Sequence, residues 1–504
     1  MLRGRSQADY EPVTRSRRGR LFESEEAGAE SLPAEEIWPT KADSKTTDED
    51  GKSAADAPPS VNKKPPATFL RRGHGLTFAA LFLFTIILYA RPAEFYPSPL
   101  TNSIAYIVGL ITLGIYLVAQ ITVEGTLTAR PREINLVLLF GLTGLLSIPL
   151  AITPATAWAT FTDTFIRCIV IFIVMVNVVR TELRLRWLLY LVLFVSFILS
   201  IGAVNDFRLG LLTTEGYRVS GVGKGIFGNS NDLAFHFVTI VPIAIALVFS
   251  TRGIIRKVLF GACAAMMMAA IVVTYSRGAF LGALASLGFL AWKLGRRHRL
   301  AVLVWGTAIV GLFLVLAPGN YSIRILSIFV PGLDPVGSSS ARQGELVRSI
   351  QVALYHPLFG IGMGNYMGEM SYTGLVTHNA YTQVAAEMGM IALAIYTMFV
   401  VTPLKRLGQI ARETFAARSD SRYYYLAIGL QASLIGYMVA SFFLSVAYLW
   451  YVYYLVAYAV CLRRMYESET GRLVVPETRK MKERLRGTRR ATPLPSSESG
   501  ALTT

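Results

Sequence analysis

Charge and cysteine are both scarce in this chain. Lys, Arg, Asp and Glu make up 16% of its 504 residues while 53% are hydrophobic, against about 25% charged in soluble domains. That deficit, combined with repeated long apolar runs, sets aside a soluble protein with buried helices and leaves a polytopic membrane protein as the class. The three cysteines, Cys168, Cys263 and Cys461, lie in or beside apolar runs with no CxxC spacing, which excludes a disulfide framework or a zinc site from expectation. Residues 1–72 lack an apolar h-region, so no cleavable signal is expected and the first apolar run must direct insertion. No internal repeat is visible, so the inverted-repeat signature of many transporters is missing.

What is present is a series of apolar runs of spanning length. They predict helices near 75–90, 103–120, 134–152, 157–178, 186–203, 232–250, 258–275, 278–292, 300–316, 382–402, 424–445 and 447–462. The expected fold is therefore an all-α bundle of about twelve transmembrane helices. Residues 1–72 are rich in Ser, Ala, Pro, Glu, Lys and Arg and read as a disordered tail. Residues 73–465 form the membrane domain, and 466–504 read as a second, basic tail. Asp48-Glu49-Asp50 spells a DxD, but within the first tail, where a metal site is not expected.

The formal charge of +17 would ordinarily suggest nucleic acid. Its placement argues against that. Arg71 and Arg72, Arg130 and Arg132, Arg180 and Arg184, Arg252 and Arg256, Lys293 and Arg296, Lys405 and Arg406, and Arg463 and Arg464 fall in the tails and in every even-numbered connection. This is topology rather than a binding surface, and it predicts both termini in the cytoplasm, with the odd connections on the other face.

Between the ninth and tenth expected helices lies a polar insertion, 317–381, of a length that is usually functional. It holds His356, His378, Arg324, Arg342 and Arg348. On the outer face positive charge should be scarce, so Arg277 in TYSRGAFLGA, Arg342 at the start of an expected amphipathic helix with Leu346, Ile350 and Leu354, and Arg218 ahead of Asn229, Asn231 and Asp232 all stand out. Arginines converging on one face suit a phosphate, which guanidinium matches bidentately, and a helix start near Asn229 offers free N–H groups to an anion. Each arginine also has a plainer reading as an anchor or an ion-pair partner. His378, beside Asn379 at the start of the tenth helix, is placed to take a proton from a hydroxyl. His356, before Pro357, reads as a turn residue packing the loop, His236 as a hydrogen-bonding residue of the bundle, and Asp163 with Arg167 as a local pair.

The motifs LYARPAEF, GIFGNSNDLA, TYSRGAFLG, HPLFGIGMGNY and THNAYTQVAAEMGMIALAIY, in that order, make the chain similar to the O-antigen ligase and polymerase superfamily of bacterial membrane glycosyltransferases. The likeness covers roughly residues 75–460. It implies an all-helical fold with a periplasmic loop over the bundle, a glycan donor carried on a polyprenyl diphosphate, and transfer without a metal or other cofactor. By motif, Arg277, Arg342 and His378 match the family's catalytic positions. Arg218, Asn229, Asn231 and Asn379 are the candidates for substrate binding. Ser230 stands in GNSND where many members carry proline.

The resulting expectation is an inner-membrane glycosyltransferase of surface polysaccharide biosynthesis that polymerises or ligates glycan on the periplasmic side. Its partners would be the lipid-linked donor, a glycan, lipid or protein acceptor, the bilayer and polysaccharide export machinery. The alternative class is a multi-pass transporter of a small solute or anion, for which Asp163 and Arg167 are the fair mid-membrane candidates.

Overall fold

The computed structural model describes residues 74–212, 216–221, 226–296, 298–316, 321–327, 338–418 and 422–471. Two units divide the chain, 1–62 and 63–504, and all the described residues belong to the second. The expected first tail, the DxD within it and everything after 471 lie outside the described residues.

In chain order the helices are α1 Gly75–Ala90, α2 Pro92–Phe95, α3 Pro99–Glu124, α4 Arg132–Ser147, α5 Pro154–Thr160, α6 Ile166–Val178 and α7 Glu182–Arg208. A π-helical turn, Phe161–Phe165, joins α5 to α6. There follow α8 Ser230–Ser250, α9 Ile254–Val273, α10 Arg277–Leu294, α11 Arg299–Leu316, the short α12 Tyr321–Leu326, α13 Ser338–Tyr355, α14 Ala380–Glu413, α15 Arg422–Ala440 and α16 Trp450–Thr470. Each of the twelve expected spans has a helical counterpart, with α2, α12 and α13 as additions. The last helix continues past the boundary expected at 465.

Seven helical stretches among the described residues are long and apolar enough to cross a membrane: Pro99–Glu124, Pro154–Val178, Glu182–Arg208, Ser230–Ser250, Ile254–Val273, Ala380–Glu413 and Arg422–Phe443. α16 falls outside that set for a physical reason. It is rich in tyrosine, and Tyr451, Tyr453, Tyr454 and Tyr458 are all buried, as is nearly every residue from Trp450 to Met465. A helix enclosed by other helices need not dissolve in lipid, so its composition can be polar-aromatic. The lipid-facing shell is the inverse: Leu110, Ile111 and Val118 on α3, Leu138 and Leu142 on α4, Phe194 and Ile198 on α7 and Val258 on α9 point outward. Such a surface would be a liability in water.

Small residues set the closest helix contacts, as expected where lipid supplies no hydrophobic drive between helices. On α10, a Cβ at Gly282 would stand 2.8 Å from Ala440 Cβ and 3.1 Å from Gly436 O of α15. On α15, a Cβ at Gly429 would come within 3.1 Å of Pro242 O of α8.

The two ends of the bundle differ. At one end the basic residues of the even connections find acids. Arg463 at the end of α16 holds Glu133 of α4 through two bonds of 2.6 and 3.0 Å, both side chains buried. Arg180 pairs with Glu124, and Arg422 reaches Glu182 at 2.7 Å and Glu469 at 3.2 Å. At the other end α13, the loop after it and the starts of α10 and α14 come together.

Candidate functional site

The start of α14 is built by its own cap. Asn379 Oδ1 accepts the N–H groups of Tyr381 and Thr382 at 2.9 and 3.0 Å, satisfying two of the free donors of a helix start. Thr377 Oγ1 donates to Asn379 O at 3.0 Å and lies 2.8 Å from Ser445 Oγ. Between these two fixed residues His378 takes φ 50°, in the left-handed region, a conformation that costs of order 1 kcal/mol or more outside glycine. The flanking bonds hold the backbone there, and the imidazole is thereby presented to the end of the bundle.

The loop docks on a break in α14. Gly389 has φ 89°, and the helix is interrupted there. Carbonyls freed by the break are taken by the glycine-rich segment: Ile361 N donates to Ala386 O at 3.0 Å and Gly362 N to Glu387 O at 3.0 Å, while Met390 N donates to Pro357 O at 2.7 Å. Gly360, Gly362 and Gly364 all have positive φ, and a Cβ at Gly360 would stand 2.5 Å from Glu387 O. The spacing of HPLFGIGMGNY is thus a demand for bare backbone at the contact.

α13 lies against this assembly. Its packed side carries Glu345, Ser349, Val352 and Ala353, with Val352 and Ala353 against Ile361, Tyr366, Ala385 and Ala386. The expected amphipathic stripe is corrected on two points. Arg342 belongs to the second turn, since the helix begins at Ser338, and Ile350 and Leu354 of the stripe are exposed while Leu346 is half-buried. The reason is that α13 turns Val352 and Ala353, not Ile350 and Leu354, to its apolar contact, with a polar lock beside them. Glu345, 1% exposed, is that lock. Its carboxylate accepts Tyr366 OH at 2.7 Å, Ser371 Oγ at 2.9 Å, Thr373 Oγ1 at 2.7 Å and Thr373 N at 3.2 Å. Burial raises its pKa, but the bonds from Thr373, Tyr366 and Ser371 outweigh that and hold it below the usual carboxylate range.

Arg277 is the first residue of α10, after a turn in which Tyr275 has φ 52°. Two other arginines pin that turn. Arg218 Nε donates to Thr274 O at 2.9 Å and Arg324 Nε to Tyr275 O at 3.0 Å. Arg324 also bonds Tyr217 OH. Arg277 Nη1 donates to Ser327 Oγ at 2.7 Å, and Ser327 donates in turn to Arg324 O at 2.7 Å.

These elements enclose a cavity of about 160 Å³. Arg277, Arg342, His378 and Asn379 line it, with Gln343 and Thr377. Phe442, Phe443, Leu346 and Gly278 form its apolar side, and Gly278 leaves room for Phe443, whose Cβ would stand 2.7 Å from an added methyl. Asn379 Nδ2 is buried and has no hydrogen-bond partner among the described residues. His378 is pushed down to about 4, first by burial, then by the charge of Arg342, with Glu345 opposing. The imidazole is therefore neutral near pH 7 and able to accept a proton.

The structure thus brings Arg277, Arg342, His378 and Asn379 together from three separate stretches. It leaves Arg218, Asn229 and Asn231 out of the cavity lining. Arg218, 2% exposed, donates through Nη2 to Asn231 Oδ1 at 2.7 Å, and Asn229 Oδ1 caps Asn231 N at 2.8 Å, so the three form a strut between α8 and the Arg277 turn. His356 is exposed, and only its backbone takes part in the turn, through Gly360 N at 3.1 Å. Asp163 and Arg167 pair at 3.0 Å with both side chains largely exposed. His236 lies 2.8 Å from Ser196 Oγ inside the bundle. Sequence reasoning missed Glu345, Ser327 and the two phenylalanines. An acid one turn after Arg342 was the available signal for the first; nothing local marked the others.

Residues 262–397 match the family model described as O-antigen ligase. The matched span runs from α9 into α14 and takes in Arg277, Arg342, His378 and Asn379. It supports the superfamily that the motifs resemble. No curated protein matches the chain.

Proposed function

We propose that this O-antigen ligase/polymerase superfamily protein transfers glycan from a polyprenyl-diphosphate-linked donor to an acceptor hydroxyl at the cavity between α10, α13 and α14. The observation that carries the proposal is that two guanidiniums and a neutral imidazole, Arg277, Arg342 and His378, line one cavity with an apolar side at Phe442 and Phe443. In this reaction the acceptor oxygen attacks the anomeric carbon, and the bond from that carbon to the diphosphate oxygen breaks. Negative charge grows on the departing diphosphate, where fixed guanidiniums stabilise it without reorganising. His378 takes the acceptor proton. The incoming diphosphate counters the charge of Arg342 and raises the affinity of His378 for that proton, so the base strengthens once the donor is bound. The phenylalanines and Leu346 suit the first isoprene units. Asn379 Nδ2, buried and without a hydrogen-bond partner among the described residues, suits a donor oxygen.

The placement of basic residues supports a bacterial inner-membrane protein with both termini cytoplasmic and this cavity on the periplasmic side. Polymerase and ligase differ in the acceptor and share the donor chemistry. His378→Ala and Arg277→Ala, each made separately in the native host, test the proposal when surface polysaccharide and protein level are both measured. Loss of polymer at normal protein level is expected. Normal polymer from a well-expressed His378→Ala variant would falsify the role given to the imidazole. Single-unit glycans would identify a polymerase, and full-length polymer retained on the carrier a ligase.

A further inference from the structure

A second cavity, of about 230 Å³, lies at the far end of α10 from Arg277. Its polar lining is Lys293, Arg296, His298 and Arg418, and no carboxylate is among its described lining residues. The basic residues elsewhere at this end behave differently: Arg463, Arg180 and Arg422 each meet an acid. Here cations face cations. Arg296 and Arg418 both stack on Phe415, at 4.4 and 4.7 Å from the ring centroid, which fixes two guanidiniums in one place. An anion seated among these like charges would relieve their mutual repulsion.

Depth identifies which anion fits. α10 has 18 residues, about 27 Å at 1.5 Å per residue, close to the ~30 Å of a hydrocarbon core. α10 packs along α8 and α15, both long and apolar enough to cross a membrane, so its far end points toward the leaflet opposite the Arg277 cavity. Tyr424 and Tyr425 complete its rim, and Tyr425 stacks on Phe249, the aromatic setting of a membrane interface. We infer that this cavity binds the phosphate of an anionic lipid headgroup, held by Arg296 and Arg418 with Lys293 as a point charge. The site is independent of the transfer reaction proposed above.

The test uses the full-length protein in detergent, mixed with equal phosphatidylglycerol and phosphatidylcholine, with retained lipid read by native mass spectrometry. Wild type is expected to retain phosphatidylglycerol preferentially. Arg296→Gln with Arg418→Gln should lower that preference roughly ten-fold or more, with an unchanged unfolding midpoint. Arg252→Gln with Arg256→Gln removes the same charge from another basic connection and should leave the preference intact. Equal losses in the two double variants would mean diffuse charge alone and overturn the site, as would no loss in either. Inorganic pyrophosphate separates the sources. If it raises the unfolding midpoint of wild type but not of the Arg296/Arg418 variant, and no lipid preference is seen, the ligand is soluble and the lipid assignment fails. Should the double variant be unstable, Arg418→Lys, which keeps the charge but loses the planar fork, must still weaken lipid retention.

Discussion

Replacing Gly389 by alanine should undo the docking of the loop on α14. The residue has φ 89°, a conformation costing a side-chain-bearing residue about 1–3 kcal/mol. The new Cβ would stand 2.5 Å from the Leu358 carbonyl carbon and 2.8 Å from Pro357 O, and nearer still to Leu358 O. All three are backbone atoms, so no rotamer change relieves the clash. Ordinary contact begins near 3.4 Å, so the segments must part by more than 0.9 Å in an interior that is close-packed. That separation strains the bonds from Ile361, Gly362 and Met390 across the break, each worth about 1 kcal/mol net. Together these effects come to about 4–6 kcal/mol. Gly344→Ala is the matched control, since a Cβ there meets nothing within 4 Å and helix propensity favours it by about 0.5–1 kcal/mol. Thermal unfolding in detergent and limited proteolysis of the loop provide the measurement. Gly389→Ala should unfold several degrees lower and be cut within 357–377, while Gly344→Ala should match or exceed wild type. An unfolding midpoint for Gly389→Ala within error of wild type, with a protected loop, would refute this account of the break.

Three further outcomes are expected. The folded His378 pKa of about 4 lies below its ordinary 6.5, so in reconstituted transfer the acid limb of kcat/KM should fall near pH 4, and Arg342→Gln should move it toward neutral. By linkage the neutral imidazole contributes stability that is present above about pH 6.5 and is lost as pH falls through about 4. Glu345→Gln replaces a four-bond acceptor by an amide and should cost about 2–4 kcal/mol, read as faster hydrogen exchange over 366–373. It should also lower the His378 pKa further, because the carboxylate raises it. Arg463→Met alone leaves the buried Glu133 carboxylate only the longer contact to Arg406 at 3.8 Å and should destabilise by about 3–5 kcal/mol, whereas Arg463→Met with Glu133→Leu should recover part of it, as measured by thermal unfolding.

The fold class was written in composition and periodicity. Apolar runs of spanning length can be satisfied in lipid only by helices, and each run expected to be a helix is one. The glycines of HPLFGIGMGNY also announced close backbone approach, because no other residue permits it. What local pattern could not supply was the partner of that approach. A broken helix at Gly389 and a loop segment some thirty residues earlier satisfy each other's free backbone groups, and neither is interpretable alone.

The same limit separates the arginines. Arg218, Arg277, Arg324 and Arg342 look alike in sequence, each a positive charge in a connection expected on the outer face. Folding sends Arg218 and Arg324 to the carbonyls of one turn and leaves Arg277 and Arg342 lining the cavity. Which guanidinium ends as a strut and which reaches the cavity depends on what lies within a few ångströms, and that is set by helices far apart in the chain. The amino-acid sequence by itself determined that this is a membrane bundle with charge sorted between its connections, because hydrophobicity and charge act residue by residue. Only the tertiary structure decided which of these side chains meet around one cavity, because a cavity belongs to no single stretch of chain.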